Sequence, residues 1–282
     1  MKNIKTLISD ILRLFEPENH HELNPDNLKT FGENIGKAIA RHFKEREERK
    51  PELYMSSVGR KCKRQLWYMI NKPTLAEKLR PETYLKFLFG DLYEELLLFL
   101  SKEAGHTVEG EQDSISFADL RGRRDAVIDG HLVDVKSASS RSFDKFVNGK
   151  LVEGDDPFGY MDQLNLYLHS ANDDPIVKDK DTASFFVVNK EIGKLALTTI
   201  PKNSKDYHEE VSATKKLMAS EDTPERPFVA VPDGKSGNMK LPVNCAYCQF
   251  KEECWPNLRT FLYSNGPRYL TVVERTPDVP EA

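Results

Sequence analysis

The sequence predicts an α/β fold in which a central mixed sheet is flanked by helices. Apolar side chains recur at helical spacing through the first hundred or so residues. Two pairs of extended segments follow, and each pair is joined by a short turn. Further helical segments lie between and after these pairs, so helices and strands share one chain order.

The N-terminal part of the chain is predicted to be helical. Asn24-Pro25 is a typical start for a helix and Pro51 a typical stop, while Gly105 ends the fourth helix. We expect helices at residues 4–16, at about 26–49, from Ser56 or Ser57 to about Ile70, and from Pro81 to about Glu103.

The middle of the chain is predicted to form two hairpins. Asp129-Gly130 between two extended runs is a strong signal for a two-residue turn, and Glu191-Ile192-Gly193 is expected to turn the second pair. The expected strands are 113–117, 122–128, 131–137, 183–189 and 195–200, and the expected helices are 141–148, 158–171 and 203–219. We interpret residues 222–243 as an irregular linker and the tail after Pro267 as a loose arm.

Composition limits the class of protein. The 282 residues fit one large domain or two small ones, and no apolar run is long enough to cross a membrane. The segment Thr6–Phe15 is interrupted by Asp10 and Arg13 at helical spacing, which indicates an amphipathic helix and not a signal peptide. We therefore expect a cytoplasmic protein without a membrane partner.

The charge pattern argues against a protein that coats nucleic acid through a general positive field. The formal net charge is −4, so any contact with DNA has to come from local basic clusters. Two such clusters are Arg41–Lys50 and Arg60–Arg64. The first is interleaved with glutamates and also fits a solvated helix end.

The Asp129-Gly130 turn predicts that two acidic residues face each other. If the loop has two residues, Ile128 pairs with His131 and Asp125 lies opposite Asp134. Lys136 is two residues further along the strand and shares that face. Facing like charges destabilise a strand pair, so a divalent cation between the carboxylates is one explanation, and two solvated surface acids are the other.

These residues resemble the motif of PD-(D/E)xK nucleases, in which Asp125 is followed after eight residues by Asp134-Val135-Lys136. Gly90-Asp91-Leu92-Tyr93-Glu94 is similar to the Gly-x3-Glu helix of lambda-exonuclease-like members. Gln163-Leu164-Asn165-Leu166-Tyr167 is similar to the Gln-x3-Tyr motif of RecB-type members. Taken singly, Glu94 and Gln163 also fit surface positions and Tyr167 a core position.

The resemblance implies a restriction-endonuclease-like sheet and phosphodiester hydrolysis. Magnesium or manganese would be held by Glu94, Asp125, Asp134 and the main-chain carbonyl of Val135. Lys136 would position or activate the attacking water, and Gln163 and Tyr167 would orient Lys136 or the DNA end. The expected activity is that of a DNA exonuclease that needs a single-stranded or otherwise free end, with a role in recombination, repair or phage DNA metabolism.

The four cysteines form a second specific pattern. Cys62 stands alone, whereas Cys245, Cys248 and Cys254 follow the spacing Cys-x2-Cys-x5-Cys. In a cytosolic chain such spacing favours a metal or a cluster over disulfides. By chemistry alone, four thiolates suit an iron–sulphur cluster or structural zinc, and four unligated buried cysteines are the third reading.

This cysteine arrangement is similar to that of iron–sulphur nucleases of the RecB superfamily, including CRISPR-associated exonucleases. The resemblance covers residues 56 to about 258 and implies a 4Fe-4S cluster in a helical lobe. It departs from the CRISPR-associated members at Glu94, where they usually carry histidine. The implied organisation is an N-terminal helical region at 1–55, a nuclease core at 56–221, and a cysteine segment at 222–282 that packs back on Cys62.

The cluster would fix the basic residues Arg60, Lys61, Lys63 and Arg64 near the nuclease groove as phosphate contacts. A homo-oligomer or a recombination-complex partner is compatible with this picture. Two other function classes stay open: an inactive nuclease-fold module that only binds DNA, and a zinc-bound structural protein. An inactive relative has no need to keep Glu94, Asp125, Asp134 and Lys136 together, which favours the enzyme.

Overall fold

The computed structural model describes residues 2–44 and 50–282. The helices of these residues are α1 Leu7–Arg13, α2 Pro25–Phe43, α3 Met55–Val58, α4 Lys63–Asn71, α5 Pro81–Glu103, α6 Ser140–Val147, α7 Tyr160–Ser170, α8 Tyr207–Met218, α9 Val243–Ala246 and α10 Lys251–Cys254. The strands are β1 Val108–Glu109, β2 Ser114–Phe117, β3 Leu120–Arg123, β4 Ala126–Ile128, β5 His131–Ala138, β6 Thr182–Asn189, β7 Leu195–Pro201, β8 Val231–Pro232, β9 Met239–Lys240, β10 Arg259–Tyr263 and β11 Gly266–Val272.

The helix ends follow the local signals of the sequence. The side chain of Asn24 accepts hydrogen bonds from the main-chain amides at the start of α2, and Pro25 occupies the first turn. Helix α5 has the predicted ends, and Gly105 follows it with a φ of 82°. Helix α2 ends at Phe43, and the rest of the predicted extension to residue 49 lies largely outside the described residues.

The predicted single helix from Ser56 or Ser57 to Ile70 is wrong, because two helices separated by residues 59–62 lie there. Helix α3 begins after Tyr54, and the side chain of Cys62 caps the start of α4. The break is at Gly59, where a Cβ atom would lie 2.7 Å from the carbonyl oxygen of Gly159. The chain therefore approaches the start of α7 too closely for a continuous helix with ordinary side chains.

The central sheet is mixed, as predicted. Its strand order is β1-β4-β5-β6-β7, and β5 and β6 are parallel while the other neighbours are antiparallel. Helices α1 and α5 cover one face and helices α6, α7 and α8 cover the other. Both faces of the sheet are therefore covered by helices. This argues against the alternative that Asp125 and Asp134 are two solvated acids on an exposed face of the sheet.

The β4–β5 hairpin has the predicted register. Ile128 pairs with His131 and Ala126 with Val133, so the turn consists of Asp129 and Gly130. Both turn residues have a positive φ, of 52° and 80°. That conformation is the one in which a two-residue turn matches the twist of its strands.

Two predictions about extended segments are wrong. Residues 122–128 do not form one strand: β3 pairs with β2 in a separate ribbon, and the chain then enters the central sheet as β4. The linker and the loose arm also contain structure, because β8, β9, β10 and β11 form a four-stranded sheet. Its two shortest strands have two residues each, too few to show a period in the sequence.

Over the described ranges, no helix combines the length and apolar character that a membrane span requires.

Candidate functional site

Asp125 lies in the break between β3 and β4, directly before the first residue of β4 in the central sheet. Its Oδ2 accepts a hydrogen bond of 2.7 Å from the main-chain amide of Val135. Asp134 lies in β5 and is buried, with 3% of its surface exposed. The pairs of the hairpin end at Ala126 and Val133, one position before the two acids. The two carboxylates are nevertheless close, because the charge of Asp134 raises the pKa of Asp125.

Lys136 shares this face and lies against both acids. Its ammonium forms an ion pair with Oδ2 of Asp134 and is 3.4 Å from the carbonyl oxygen of Val135. The ammonium also lies 5.4 Å from the centre of the Tyr160 ring. Oδ2 of Asp134 receives no hydrogen bond of good geometry from the described residues. Its polar contact is the ion pair with the ammonium of Lys136.

Glu94 reaches the same place from helix α5. It accepts a hydrogen bond from the side-chain amide of Gln112. A cleft of about 480 Å³ opens here, between α5, α7, α3 and the β2–β3 ribbon. It is lined by Tyr54, Ser56, Glu94, Gln112, Arg121, Gly122, Arg123, Asp125, Gln163 and Tyr167.

Gln163 and Tyr167 lie one helical turn apart on α7 and close the inner side of the cleft. The amide nitrogen of Gln163 is 3.4 Å from Oδ1 of Asp134 and 3.5 Å from the hydroxyl of Tyr167. The residues quoted from the three sequence motifs thus meet at one site, although they come from α5, the hairpin and α7.

Burial and like charge shift the pKa values of the acids. Burial raises the pKa of Glu94 to about 8, and the charge of Asp125 adds to the shift. Burial also raises the pKa of Asp125 to about 7, with a further contribution from Asp134. Without a cation, burial and the neighbouring carboxylates therefore favour the protonated forms of Glu94 and Asp125, although the charge of Lys136 opposes this.

Lys136 and Tyr167 both keep their protons in this environment. Burial opposes the charge of Lys136, but Asp134 and Asp125 outweigh it, and the pKa of Lys136 is raised. Burial raises the pKa of Tyr167 to about 12, and the charge of Asp134 adds to this. Lys136 is consequently a positive charge in the site and Tyr167 a neutral hydroxyl.

The donor set fits a hard divalent cation. Crowded carboxylates and the nearby Val135 carbonyl are oxygen ligands of the kind that magnesium and manganese prefer. Within the described part of the chain, however, no three side chains of His, Cys, Asp or Glu form a ready-made metal site. Binding at this site would require a carbonyl or water ligand, or a small movement of the acids.

The four cysteines line one small cavity together with Arg64 and Trp255. Burial raises the pKa of Cys245 to about 11 and that of Cys248 to about 12, although the indole of Trp255 opposes the shift at Cys245. Nε1 of Trp255 and Nε of Arg64 are buried without a hydrogen bond of good geometry to the described residues. Both side chains interact with cysteine sulphurs, Arg64 with Cys254 and Trp255 with Cys245. Among the described residues, the cysteines do not form a ready-made metal site either.

The four predicted phosphate contacts are engaged within the chain. Lys63 donates to Glu210 and Thr214, Lys61 donates to the carbonyl of Gly154, and Nη1 of Arg60 is 3.8 Å from the sulphur of Met69. Arg64 donates to the carbonyl of Pro224 and to the hydroxyl of Tyr68. Their role in binding DNA stays a prediction.

The sequence analysis missed the cleft residues Arg121, Arg123 and Gln112. Arg121-Gly122-Arg123 is an alternating basic run directly before Asp125, and this was the available signal. Because β3 ends at Arg123 and pairs with β2, the arginines belong to a separate ribbon and not to the predicted strand 122–128 of the hairpin.

Comparisons with known proteins gave three results. A family model described as "PD-(D/E)XK nuclease superfamily" matches residues 7–255. A solved structure described as "Crystal structure of SSO0001" aligns with a TM-score of 0.45 and 16% sequence identity, over 80% of this chain and 95% of the other. The search of curated proteins found no match.

Proposed function

Because this chain belongs to the PD-(D/E)XK nuclease superfamily, we propose that it is a metal-dependent exonuclease that degrades DNA from single-stranded or otherwise free ends. The observation that carries the proposal is that Glu94 and Asp125 line one open cleft, and that the Asp134–Lys136 ion pair lies close enough to shift the pKa of Asp125. A packing role does not explain why two carboxyls should be kept there with raised pKa values.

In this proposal, Glu94, Asp125, Asp134 and the Val135 carbonyl hold magnesium or manganese. The bound cation supplies charge that polarises the phosphate and lowers the pKa of water. Glu94 is then equivalent to the acid of the Gly-x3-Glu helix. Gln163 donates to Asp134 and so positions that carboxylate, and Tyr167 supports the amide of Gln163.

Lys136 has a more limited role than the sequence alone left open. Its raised pKa keeps it protonated in the metal-free protein, so it cannot accept a proton there. We assign it to holding the attacking water and to stabilising the negative charge that develops on the phosphate. That assignment favours positioning over proton removal.

The proposed activity is tested by incubating the pure protein with end-labelled single- and double-stranded DNA, in magnesium, in manganese and in chelator. We expect progressive shortening from an end that depends on the cation. Asp134→Asn should lower the rate by about 100-fold or more, because it removes one charge from the cation site. If the wild type binds DNA but cleaves it with neither cation, the inactive binding module is the better account.

Asp233→Asn is a matched control for this experiment. Asp233 is also buried and ion-paired, and it heads the similar motif Asp233-Gly234-Lys235, but its partners are Lys240 and Arg268 and it does not line the cleft. Its substitution should leave the rate of cleavage close to that of the wild type at temperatures where the protein is folded. Equal losses of activity in both variants would contradict the site.

We further propose that Cys62, Cys245, Cys248 and Cys254 hold a 4Fe-4S cluster, as in the RecB-like iron–sulphur branch, with zinc as the alternative. The support for a bound group is that all four thiols line one cavity. The cavity of about 10 Å³ has room for about one atom. A cluster therefore requires the thiols to move outward, whereas zinc requires less movement.

The metal in this site is decided by anaerobic purification followed by absorption spectroscopy and by assays of iron, sulphide and zinc. A brown protein with iron and sulphide in equal amounts supports the cluster. A colourless protein with one zinc per chain would replace the cluster by structural zinc and leave the nuclease proposal intact.

A further inference from the structure

We infer that the β2–β3 ribbon carries a phosphate-binding face, on which Arg121 and Arg123 hold the backbone of a single DNA strand beside the cation site. This inference rests on the proposed nuclease function and adds the surface that guides the substrate. The two arginines are the cleft's long cationic side chains, and the sequence motifs did not include them.

The alternation of the ribbon separates an outer face from an inner one. Arg121 and Arg123 are exposed, whereas Leu120 is buried and a Cβ atom on Gly122 would lie 2.7 Å from the sulphur of Met55. The inner face therefore packs against α3 and the core. This packing fixes the outer face, with both arginines, toward the cleft.

The neighbouring strand adds polar groups to the same face. Ser114 pairs with Arg123 and Ser116 pairs with Arg121, so paired side chains leave the ribbon on one side. Both serines are exposed. Two guanidinium groups and two hydroxyls on one ribbon face are donors of the kind that contact phosphate oxygens.

The arginines are available for a ligand. Arg121 pairs with Glu52 at the surface, where its side chain is 67% exposed, and such a pair contributes little and can be exchanged. Among residues 2–44 and 50–282, Arg123 forms no ion pair. The adjacent Arg124 is different, because it is buried and bound by Asp113 and Asp174, which marks it as structural.

The face lies in register with the cation site. Arg123 precedes Asp125 by two residues, and its main-chain amide lies beside the hydroxyl of Tyr167. Arg121 is about 6.6 Å further along the extended strand. One row of two cations leads away from the acids, which suits the phosphates next to the cleaved bond on one strand. The described residues that line the cleft include no further arginine or lysine to form a second row for a duplex.

The test measures binding separately from cleavage. An end-labelled single-stranded oligonucleotide is titrated in chelator by fluorescence anisotropy at several salt concentrations. Each lost phosphate contact should reduce the slope of log affinity against log salt by about 0.7 for single strands. Arg121→Ala and Arg123→Ala should each show this loss, and the double variant about twice as much.

Arg275→Ala is the matched control, because Arg275 is exposed in the C-terminal segment and does not line the cleft. It should keep the wild-type salt slope. Arg121→Lys and Arg123→Lys should also keep most of it, because the charge remains. Thermal unfolding is expected to stay close to that of the wild type in all of these variants, since the side chains are exposed.

Several outcomes overturn the inference. It is wrong if the alanine variants keep the wild-type salt slope, or if their loss appears on duplex DNA alone. If the wild type cleaves DNA and the alanine variants bind it with the wild-type affinity and salt slope, the nuclease proposal is retained and the phosphate-binding face is rejected. If the wild type neither binds nor cleaves DNA, the proposed function itself falls.

Discussion

Glu94 and Asp125 differ from ordinary surface acids because the folded chain brings them together, half-buried, in one cleft. Burial is the main cause of both raised pKa values, and the neighbouring charges add to it. An ordinary hydrogen-bond network around a carboxylate has the opposite effect. Glu103, for example, accepts from His21, Asn24 and Asn27, and its pKa is lowered.

These shifts predict how stability depends on pH in the metal-free protein. The native state binds protons that the unfolded chain has already released, so the stabilisation is complete below about pH 4. This stabilisation decreases as the pH rises above about 4, and it is lost once the pH has passed the native pKa values of about 7 and about 8. We expect the melting temperature in chelator to fall between about pH 4 and pH 8, as measured by circular dichroism.

Glu94→Gln is the control for this prediction, because glutamine keeps the shape and cannot titrate. The variant should show a smaller fall in melting temperature between about pH 5 and pH 8, with the change centred on the remaining titration of Asp125. A fall as steep as that of the wild type would show that other groups, and not the cleft acids, cause the dependence.

The β4–β5 hairpin is the element that creates the site. Its two-residue turn sets the register, in which Ala126, the residue after Asp125, pairs with Val133, the residue before Asp134. The break before β4 then frees Asp125 to accept a hydrogen bond from the amide of Val135. A change in the conformation of the turn would therefore alter the positions of Asp125 and Asp134, which are each four residues away from it.

Gly130→Ala should destabilise the protein by roughly 2–3 kcal/mol. Gly130 has a φ of 80°, and a Cβ atom there would lie 2.5 Å from Cγ of Lys178. Gly193→Ala, in the second hairpin, is matched in φ at 71° but meets no atom within 4 Å. It should cost only about 1 kcal/mol, and urea unfolding distinguishes the two; equal losses would contradict the role of the close contact.

Across the whole molecule, the cysteine cavity joins distant parts of the chain. Cys62 caps the start of α4, whereas the other three cysteines belong to the segment after α8. Trp67 and Tyr68 pack beside this cavity, with Tyr68 stacked on Phe250 at 5.4 Å, so these aromatic residues belong to the core. A bound group would hold α4 and the C-terminal segment together.

Cys62→Ser should remove the bound metal or cluster and lower the melting temperature of the purified protein. The substitution is otherwise mild, because serine is a preferred N-cap and can accept the hydrogen bond from the amide of Gln65. Wild type and variant should therefore melt at similar temperatures after removal of the metal. If they already melt alike as purified, the cysteines carry no stabilising group.

The division into residues 1–55, 56–221 and 222–282 stays a prediction at this scale. Asn244 donates to the carbonyl of Pro157, and Gln249 donates to the carbonyl of Glu77, so the last segment contacts the middle one at more than the cysteines. Limited proteolysis of the metal-loaded and metal-free protein would show whether the last segment behaves as a separate unit.

The sequence by itself determined what depends on neighbouring residues. Asn24 and Pro25 set the start of α2, Pro81 and Gly105 bound α5, and Asp129-Gly130 sets the register that faces two acids across the hairpin. These features are local, since capping and turn conformation involve only a few consecutive residues. Each nuclease motif is likewise a short run of neighbouring residues, such as Gly90–Glu94 and Gln163–Tyr167.

Only the tertiary structure decided what depends on distant residues. The close approach of Gly159 breaks the helix at Gly59, and helices on both sides of the sheet remove its acids from water. The packing of Met55 under Gly122 turns Arg121 and Arg123 toward the cleft. Burial and pKa are sums over contacts from the whole chain, so no short stretch of sequence contains them.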